Sequence, residues 1–456
     1  MNIVCIGAGY VGTVTAAAFA ALGYKTTLID IDQKKIDLIN AGKSPIFEPG
    51  LDQLIEKYIN KSLFAANSFQ KIYDADVVFI AVGTPSNKDG SANLDFIKLA
   101  AKNIGEHLNS QKFTVIVNKS TVPVGTADLV ASIVKEASGI DDNHFSVISN
   151  PEFLREGFAL NDVFFPDRII IGSNNSKASQ LMKQLYEKFI NRVNFNRIEP
   201  HLKFQFNSNS PKATYFETDT KSAEMIKYAS NAFLAVKISY INEIARLCDS
   251  LGANVLDVSK GMGLDSRIGG KFLEASSGWS GSCFPKDTSE FLITSLKYGH
   301  ELSLIKTAIQ SNEDMHNYTV KKIQNQLKIL TGKTIGILGL TFKPNTDDSR
   351  NTQAAYIIKK LISLGANIRV YDPKGMKSFE DNNPDLKITY CTKAEDIGKN
   401  ADAIMLLTHW EEFLKLNWND VYSKMKGNYL LDTRNFLNSE KLINIGFRYS
   451  GLGIGD

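Results

Sequence analysis

One structural unit is written twice in this chain: an apolar strand, a turn opened by glycine, a helix, a glycine stop, and a second strand that ends on an aspartate. In the first copy, residues 2–6 form the strand, Gly7, Gly9 and Gly12 punctuate the turn, residues 13–22 form an Ala-rich helix, and after Gly23 the strand 26–29 ends at Asp30. In the second, residues 333–338 lead to Gly339, residues 354–364 form the helix, and after Gly365 the strand 367–371 ends at Asp372. Gly23 and Gly365, like Asp30 and Asp372, stand 342 residues apart, whereas the strands before them are ten residues closer, so the second turn carries about ten extra residues within 341–352. A repeat of this kind restricts the chain to an α/β fold with two Rossmann-like halves.

Each part of the first copy has a physical task. The glycines allow a tight turn and close backbone approach, the helix N-terminus attracts a pyrophosphate, and the acid accepts ribose hydroxyls. A GxGxxG string alone is weak evidence, but strand, turn, helix, strand and acid occur here in register, with Asp30 placed 18 residues after Gly12. Asp30 would repel a ribose phosphate, which favours NAD over NADP. In the second copy the longer loop contains Lys343 and Arg350, cations suited to a diphosphate, although a solvated charged loop accounts equally well for Asp347 and Asp348.

Further apolar strands at 77–82, 115–117 and 146–148 end in polar turns that carry Thr84, Lys119, Ser120, Thr121 and Asn150. In a parallel sheet ligands gather at these carboxyl ends. Residues 222–251 read as one long helix, with Ile226, Ala229, Phe233, Val236, Tyr240, Ile244 and Leu247 at spacings of three or four and Gly252 as its stop. Such a helix suits a spine between domains and a subunit contact; a merely buried helix gives the same pattern. The expected architecture is therefore α/β, with two Rossmann-like domains joined by a central helical domain: residues 1–215, 216–325 and 326–456.

Formal net charge is only +3, from 52 basic and 49 acidic residues, so no field for nucleic acid or an anionic membrane is implied. The four cysteines, Cys5, Cys248, Cys283 and Cys391, form no CxxC pair, which argues against a disulfide framework or a zinc cluster and fits a reducing compartment. No metal site is expected. The first ten residues carry no basic leader and no apolar run reaches a membrane span, so a soluble, unprocessed, cytoplasmic protein is expected.

Cys283 lies in Gly278-Trp279-Ser280-Gly281-Ser282-Cys283-Phe284-Pro285-Lys286-Asp287. Moving one hydride needs no cysteine, whereas carrying an alcohol to an acid can use a thiolate to hold the intermediate aldehyde. Taken alone, Cys283 reads as a small hydrophobe in a tight turn. Lys227 and Asn231, four apart, share a helical face and suit a cation and an amide donor for a developing oxyanion.

With these motifs in order along almost the whole chain, the sequence closely resembles the UDP-glucose 6-dehydrogenase family, one of the nucleotide-sugar dehydrogenases that also include GDP-mannose and UDP-N-acetylhexosamine enzymes. The resemblance is carried by GAGYVG at Gly7, VGTP at Val82, KSTVPVGT at Lys119, NPEFLREG at Asn150, SAEMIKYASNAF at Ser222, RIGGKFL at Arg267, SCFPKD at Ser282, GLTFKP at Gly339 and DTRN at Asp432. It implies an N-terminal domain for NAD, a C-terminal domain for UDP, and oxidation of carbon 6 of UDP-glucose twice to give UDP-glucuronate. Water held by Thr121 and Asp287 would take the hydroxyl proton. Cys283 would capture the aldehyde as a thiohemiacetal that becomes a thioester, Lys227 and Asn231 would hold its oxyanion, and Glu152 would act as base for hydrolysis.

The resemblance further assigns Gly7, Gly9, Tyr10, Val11, Gly12, Asp30, Lys35, Thr84, Thr121, Glu156, Lys286 and Arg350 to the cofactor. To the substrate it assigns Glu152, Phe153, Leu154, Arg155, Glu156, Lys227, Asn231, the loop Phe272, Leu273, Glu274, Ala275, Ser276, then Ser280, Lys343 and Arg434, with Arg267 reaching from a neighbouring subunit of a homodimer. For Lys35, Arg350 and Arg434 an exposed or salt-bridged cation is the competing reading. Two departures stand out: Trp279 and Ser280 precede Gly281 where the family has an aromatic followed by glycines, and residues 194–216 are extra sequence that reads as a surface loop. The same chemistry on another nucleotide sugar such as GDP-mannose, or a two-electron hydroxyacid dehydrogenase on the same spine, are the alternative enzymes; a catalytically silent NAD-responsive binding protein is the alternative outside catalysis.

Overall fold

The computed structural model describes residues 1–141, 143–198 and 211–455, and the chain forms two compact units, one over Met1–Ala229 and one from Ser230 onward. The first unit is built on an eight-stranded sheet. Its strands are β1 (Asn2–Ile6), β2 (Lys25–Ile29), β3 (Leu63–Ala66), β4 (Val77–Ile80), β5 (Thr114–Asn118), β6 (Phe145–Ser149), β7 (Arg168–Gly172) and β8 (Thr214–Thr218). They lie in the order β3-β2-β1-β4-β5-β6-β7-β8. All neighbours run parallel except β6 and β7. The first six strands have the doubly wound nucleotide-binding order, whose switch point lies between β1 and β4.

Parallel strands covered on both faces are largely apolar, and every residue of β4 and β5 is buried, with Thr114 and Asn118 the polar ones. The helix Tyr10–Ala21 is buried from Gly12 to Ala21, and its alanines let it lie close against the sheet. Phe19 fills the remaining space against Phe79 and Phe189, with ring centroids 5.2 and 5.5 Å away. The extra segment 194–216 is not all loop. Residues 199–210 lie outside the described residues, but the segment begins with the helix Phe195–Ile198 and delivers β8, which pairs with β7 along five residues.

The second unit contains helices Val255–Gly263, Phe284–Lys297 and Ser303–Leu327 and a parallel sheet of β9 (Thr334–Leu338), β10 (Asn367–Tyr371), β11 (Thr389–Tyr390), β12 (Ala403–Leu406), β13 (Tyr429–Asp432) and β14 (Arg448–Ser450). Its order, β11-β10-β9-β12-β13-β14, repeats that of β3-β2-β1-β4-β5-β6. Both Rossmann-like halves are therefore present. The turn after β1 occupies residues 7–9 and that after β9 residues 339–352, close to the ten-residue excess expected from the sequence. The long helix is Thr220–Leu251, 32 residues, ended by Gly252 at φ 72°.

Candidate functional site

In the first unit the turn after β1 is shaped by two glycines that no other residue could replace. Gly7 has φ 107°, and a Cβ there would lie 2.5 Å from the Ala81 carbonyl oxygen; a Cβ on Gly12 would lie 1.8 Å from the Gly7 carbonyl oxygen. Gly9, the N-cap of the helix, is different: a Cβ there would meet no protein atom. The open space there leaves room for a ligand to approach the helix N-terminus. Asp30 closes the turn, accepting from the Ala8 N–H at 2.6 Å and the Asp32 N–H at 2.9 Å, with Lys35 at 3.8 Å. A carboxylate has about four lone-pair sites, so acceptor capacity remains for ribose hydroxyls. These residues fit NAD. Tyr10 donates its hydroxyl to the Phe47 carbonyl, and Val11 sits half-buried beside it.

The ends of β4 and β5 bring two expected residues together, for the Thr84 hydroxyl donates to the Thr121 carbonyl at 3.0 Å. Beyond β6, Glu152 and Lys227 form a buried ion pair at 3.0 Å, and Glu152 also accepts the Leu154 N–H at 2.6 Å. Burial pushes this carboxyl up, but the charge of Lys227, the hydrogen bonds from Leu154 and Lys227, and the charge of Lys119 outweigh it and hold it below the usual carboxylate range. Phe153 lies under two cations, 4.0 Å from the Arg168 guanidinium and 5.3 Å from Lys227. Arg155 is turned away into a bidentate pair with Asp162 at 2.7 and 3.0 Å. Glu156 is half-buried in the same loop.

Two carboxylates that sequence reasoning missed anchor these loops. Glu48 accepts the N–H groups of Gly157 and Ala159 at 2.6 and 2.7 Å, fixing the NPEFLREG segment. Glu224 accepts those of Gly125 and Ala127 at 2.7 and 2.9 Å and the Ser149 hydroxyl at 3.0 Å, fixing the loop that carries Thr121. Their only sequence signal is an acid in an otherwise apolar setting.

In the second unit Cys283 is an exposed thiol at the N-cap of the helix Phe284–Lys297, where the peptide dipoles favour negative charge. One turn later the buried Asp287 accepts from the Asn231 amide at 2.6 Å and pairs with Lys286 at 2.6 Å. Lys227 and Asn231, one turn apart on the long helix, are thus each oriented by a carboxylate. Positive φ falls on Gly281 (88°) and not on Ser280, so the serine in the family's glycine position is unstrained; a Cβ on Gly281 would lie 2.8 Å from the Phe342 ring. The Ser280 hydroxyl pairs with Gln353, a buried residue that sequence reasoning did not single out. Trp279 is held by Asn312 through both its N–H and its carbonyl, at 2.7 and 2.9 Å, and its indole donates to Ser239 at 2.9 Å.

Within the expected sugar loop the side chains of Leu273, Ala275 and Ser276 are buried, the first two in the apolar core of the long helix, while Phe272 takes φ 65° and Glu274 is exposed. Arg434 donates to the carbonyls of Leu407 at 3.0 Å and Phe342 at 3.4 Å, next to Lys343, whose ammonium lies 5.2 Å from the Phe342 ring. Arg350 is held by Asp348 at 2.7 and 2.9 Å, and Arg267 pairs with Asp265 at 2.6 Å on the surface. Asp372, the counterpart of Asp30, is used up by the protein. It accepts the N–H groups of Leu340, Thr341, Lys374 and Gly375 together with the Trp410 indole.

Comparison with known proteins gives the relatives of this chain. Residues 1–190 match the NAD binding domain of the UDP-glucose/GDP-mannose dehydrogenase family, residues 221–314 its central domain and residues 336–439 its UDP binding domain. The chain is 42% identical to UDP-glucose 6-dehydrogenase TuaD of Bacillus subtilis, covering 99% of this chain and 93% of that protein. It is 40% identical to a UDP-glucose 6-dehydrogenase of Rhizobium meliloti over 100% of both. Its fold matches a UDP-glucose dehydrogenase from Pyrobaculum islandicum with a TM-score of 0.87 and 34% identity, covering 99% and 97% of the two chains. Two Rossmann-like halves, a helical centre and full-length similarity establish that this chain belongs to the UDP-glucose/GDP-mannose dehydrogenase family.

Proposed function

We propose that the protein oxidises UDP-glucose to UDP-glucuronate in two NAD-dependent steps on one cysteine. The observation that carries this reading is the exposed Cys283 thiol at a helix N-terminus, one turn from a buried Asp287 that holds Asn231. A dehydrogenase of two electrons has no use for that sulfur. NAD, held by residues 7–12 and Asp30, would supply the hydride acceptor when bound, one molecule for each of the two oxidations. Asp287 and Thr121 hold the water that takes the carbon-6 hydroxyl proton. The Cys283 sulfur then adds to the aldehyde carbon, and Lys227 and Asn231 balance the charge on the resulting oxygen. After the second oxidation the sulfur carries a thioester. Glu152 takes a proton from the water that attacks it, which releases the carboxylate and returns the thiol.

The UDP-glucose 6-dehydrogenases above favour this sugar over GDP-mannose. Lys343 and Arg434 serve the diphosphate side of the substrate, and Phe272, Glu274 and Ser280 the sugar. The test is a panel of nucleotide hexoses with NADH absorbance as readout. Two NADH per UDP-glucose are expected; one per substrate would refute the cysteine scheme in favour of a two-electron dehydrogenase, and none with any sugar would leave a silent binding protein.

The active species is a homodimer built on the long helix, where Phe233, Tyr240, Leu247 and Leu251 are all at least half exposed on one stripe. Arg267 reaches the partner's substrate from this assembly. Thiol cysteines at all four positions support a cytoplasmic home. No helix among the described residues is long and apolar enough to cross a membrane.

A further inference from the structure

Lys119 has no place in the scheme above, yet its setting is costly. It follows β5 directly, two residues before Thr121, and is only 8% exposed. Its ammonium donates to the Asn150 side-chain oxygen at 3.1 Å, and no carboxylate lies within ion-pair distance among the described residues. A buried cation held by one amide oxygen is expensive, and folds retain such a group where its charge has a use. Asn150 itself is locked. The same oxygen accepts the Tyr186 hydroxyl at 2.5 Å, its amide donates to the Ile170 carbonyl at 2.8 Å, and its own N–H donates to the Asn118 carbonyl at 2.9 Å. Two residues further on is Glu152, paired with Lys227.

We propose that Lys119 is a positioning residue for Glu152: acting through Asn150, it fixes the start of the loop that carries this carboxylate and supplies a second positive charge that keeps it ionised as the base of thioester hydrolysis. Groups facing the Lys119 ammonium are Glu152 and Lys227 by charge, the Cys5 thiol, which burial keeps protonated, and Asn150 by hydrogen bond. Burial pushes this ammonium down to about 8, and Glu152 opposes that shift, so the cation persists at neutral pH.

The inference rests on the proposed function, and the two fail differently. Wild-type enzyme must first give two NADH per UDP-glucose; if it does not, the proposed function is wrong. In an enzyme that passes, Lys119→Met is expected to give a burst of two NADH per site, then turnover slowed by about tenfold, with the uronyl thioester on Cys283 visible by intact-protein mass. The acid limb of its kcat profile should move up by about one pH unit, as expected when a neighbouring cation is removed from a carboxylate. Lys119→Arg, which keeps the charge, should restore the limb. Tyr186→Phe, which removes a neutral hydrogen bond from the same Asn150 oxygen, should leave it in place. An unmoved limb with no trapped thioester in Lys119→Met overturns the proposal. So does an equal shift in Tyr186→Phe, or loss of folding in both Lys119 variants, since either makes Lys119 a packing residue only.

Discussion

Replacing Lys227 with methionine keeps most of the side-chain volume and removes one charge from a buried pair. Glu152 would be left with the Leu154 N–H and the more distant Lys119. Removing one partner of a buried ion pair costs about 3–5 kcal/mol; those remaining supports put the expected loss near ~3 kcal/mol at pH 8. The sign of its pH dependence follows from the carboxylate. In the wild type Glu152 lies below its unfolded value, so its contribution is fully present above about pH 4.3 and is lost only as pH falls through the lower folded value. In Lys227→Met the burial that opposes ionisation is less compensated, which shifts the carboxyl upward. The variant therefore recovers stability as pH falls, by at most about 1.4 kcal/mol per unit for one proton. Thermal unfolding of the NAD-binding unit at pH 8 and pH 5.5 measures this. Adding Glu152→Gln to Lys227→Met should return part of the lost stability at pH 8. A loss that is equal at both pH values, or a double variant less stable than Lys227→Met, would refute the ion-pair account.

Cys283→Ala should abolish net acid formation while the binding of UDP-glucose, followed calorimetrically, stays within a few-fold of wild type; normal uronate production by that variant would remove the covalent scheme. Charge placed on the exposed stripe by Phe233→Glu with Leu247→Glu should shift sedimentation from dimer to monomer, and an unchanged sedimentation coefficient would move the interface elsewhere.

Both nucleotide-binding halves were readable because their signals are local. Strand 367–371 was located exactly, and β5, expected at 115–117, extends one residue further at each end. Glycine punctuation likewise placed the turn glycines and the stop at Gly252. The antiparallel turn from β6 to β7 was not readable, since it depends on pairing across the sheet at a single residue pair, Ser149 with Gly172. Nor was the strand β8 inside the extra segment, whose residues are mostly exposed or half-buried and so lack the apolar run of a central strand. Cys283, Asp287 and Asn231 could be proposed from motif and spacing, but that Asn231 is clasped by Asp287 joins residues 56 apart. Glu48 and Glu224 were harder still. Their partners are backbone N–H groups about a hundred residues away, and a main-chain donor has no identity for sequence to display.

The contrasting fates of Asp30 and Asp372 bear on redesign. At the tip of β2 the acid keeps oxygen lone pairs to spare, so exchanging it for a smaller or neutral residue opens a route to a phosphorylated ribose. At the tip of β10 the equivalent acid is a brace gripped by five residues, and altering it would unfasten the Gly339 turn instead of retuning what binds there. On the proposed function, cofactor choice in this duplicated architecture would be adjustable from one copy alone, while the acid of its twin serves rigidity.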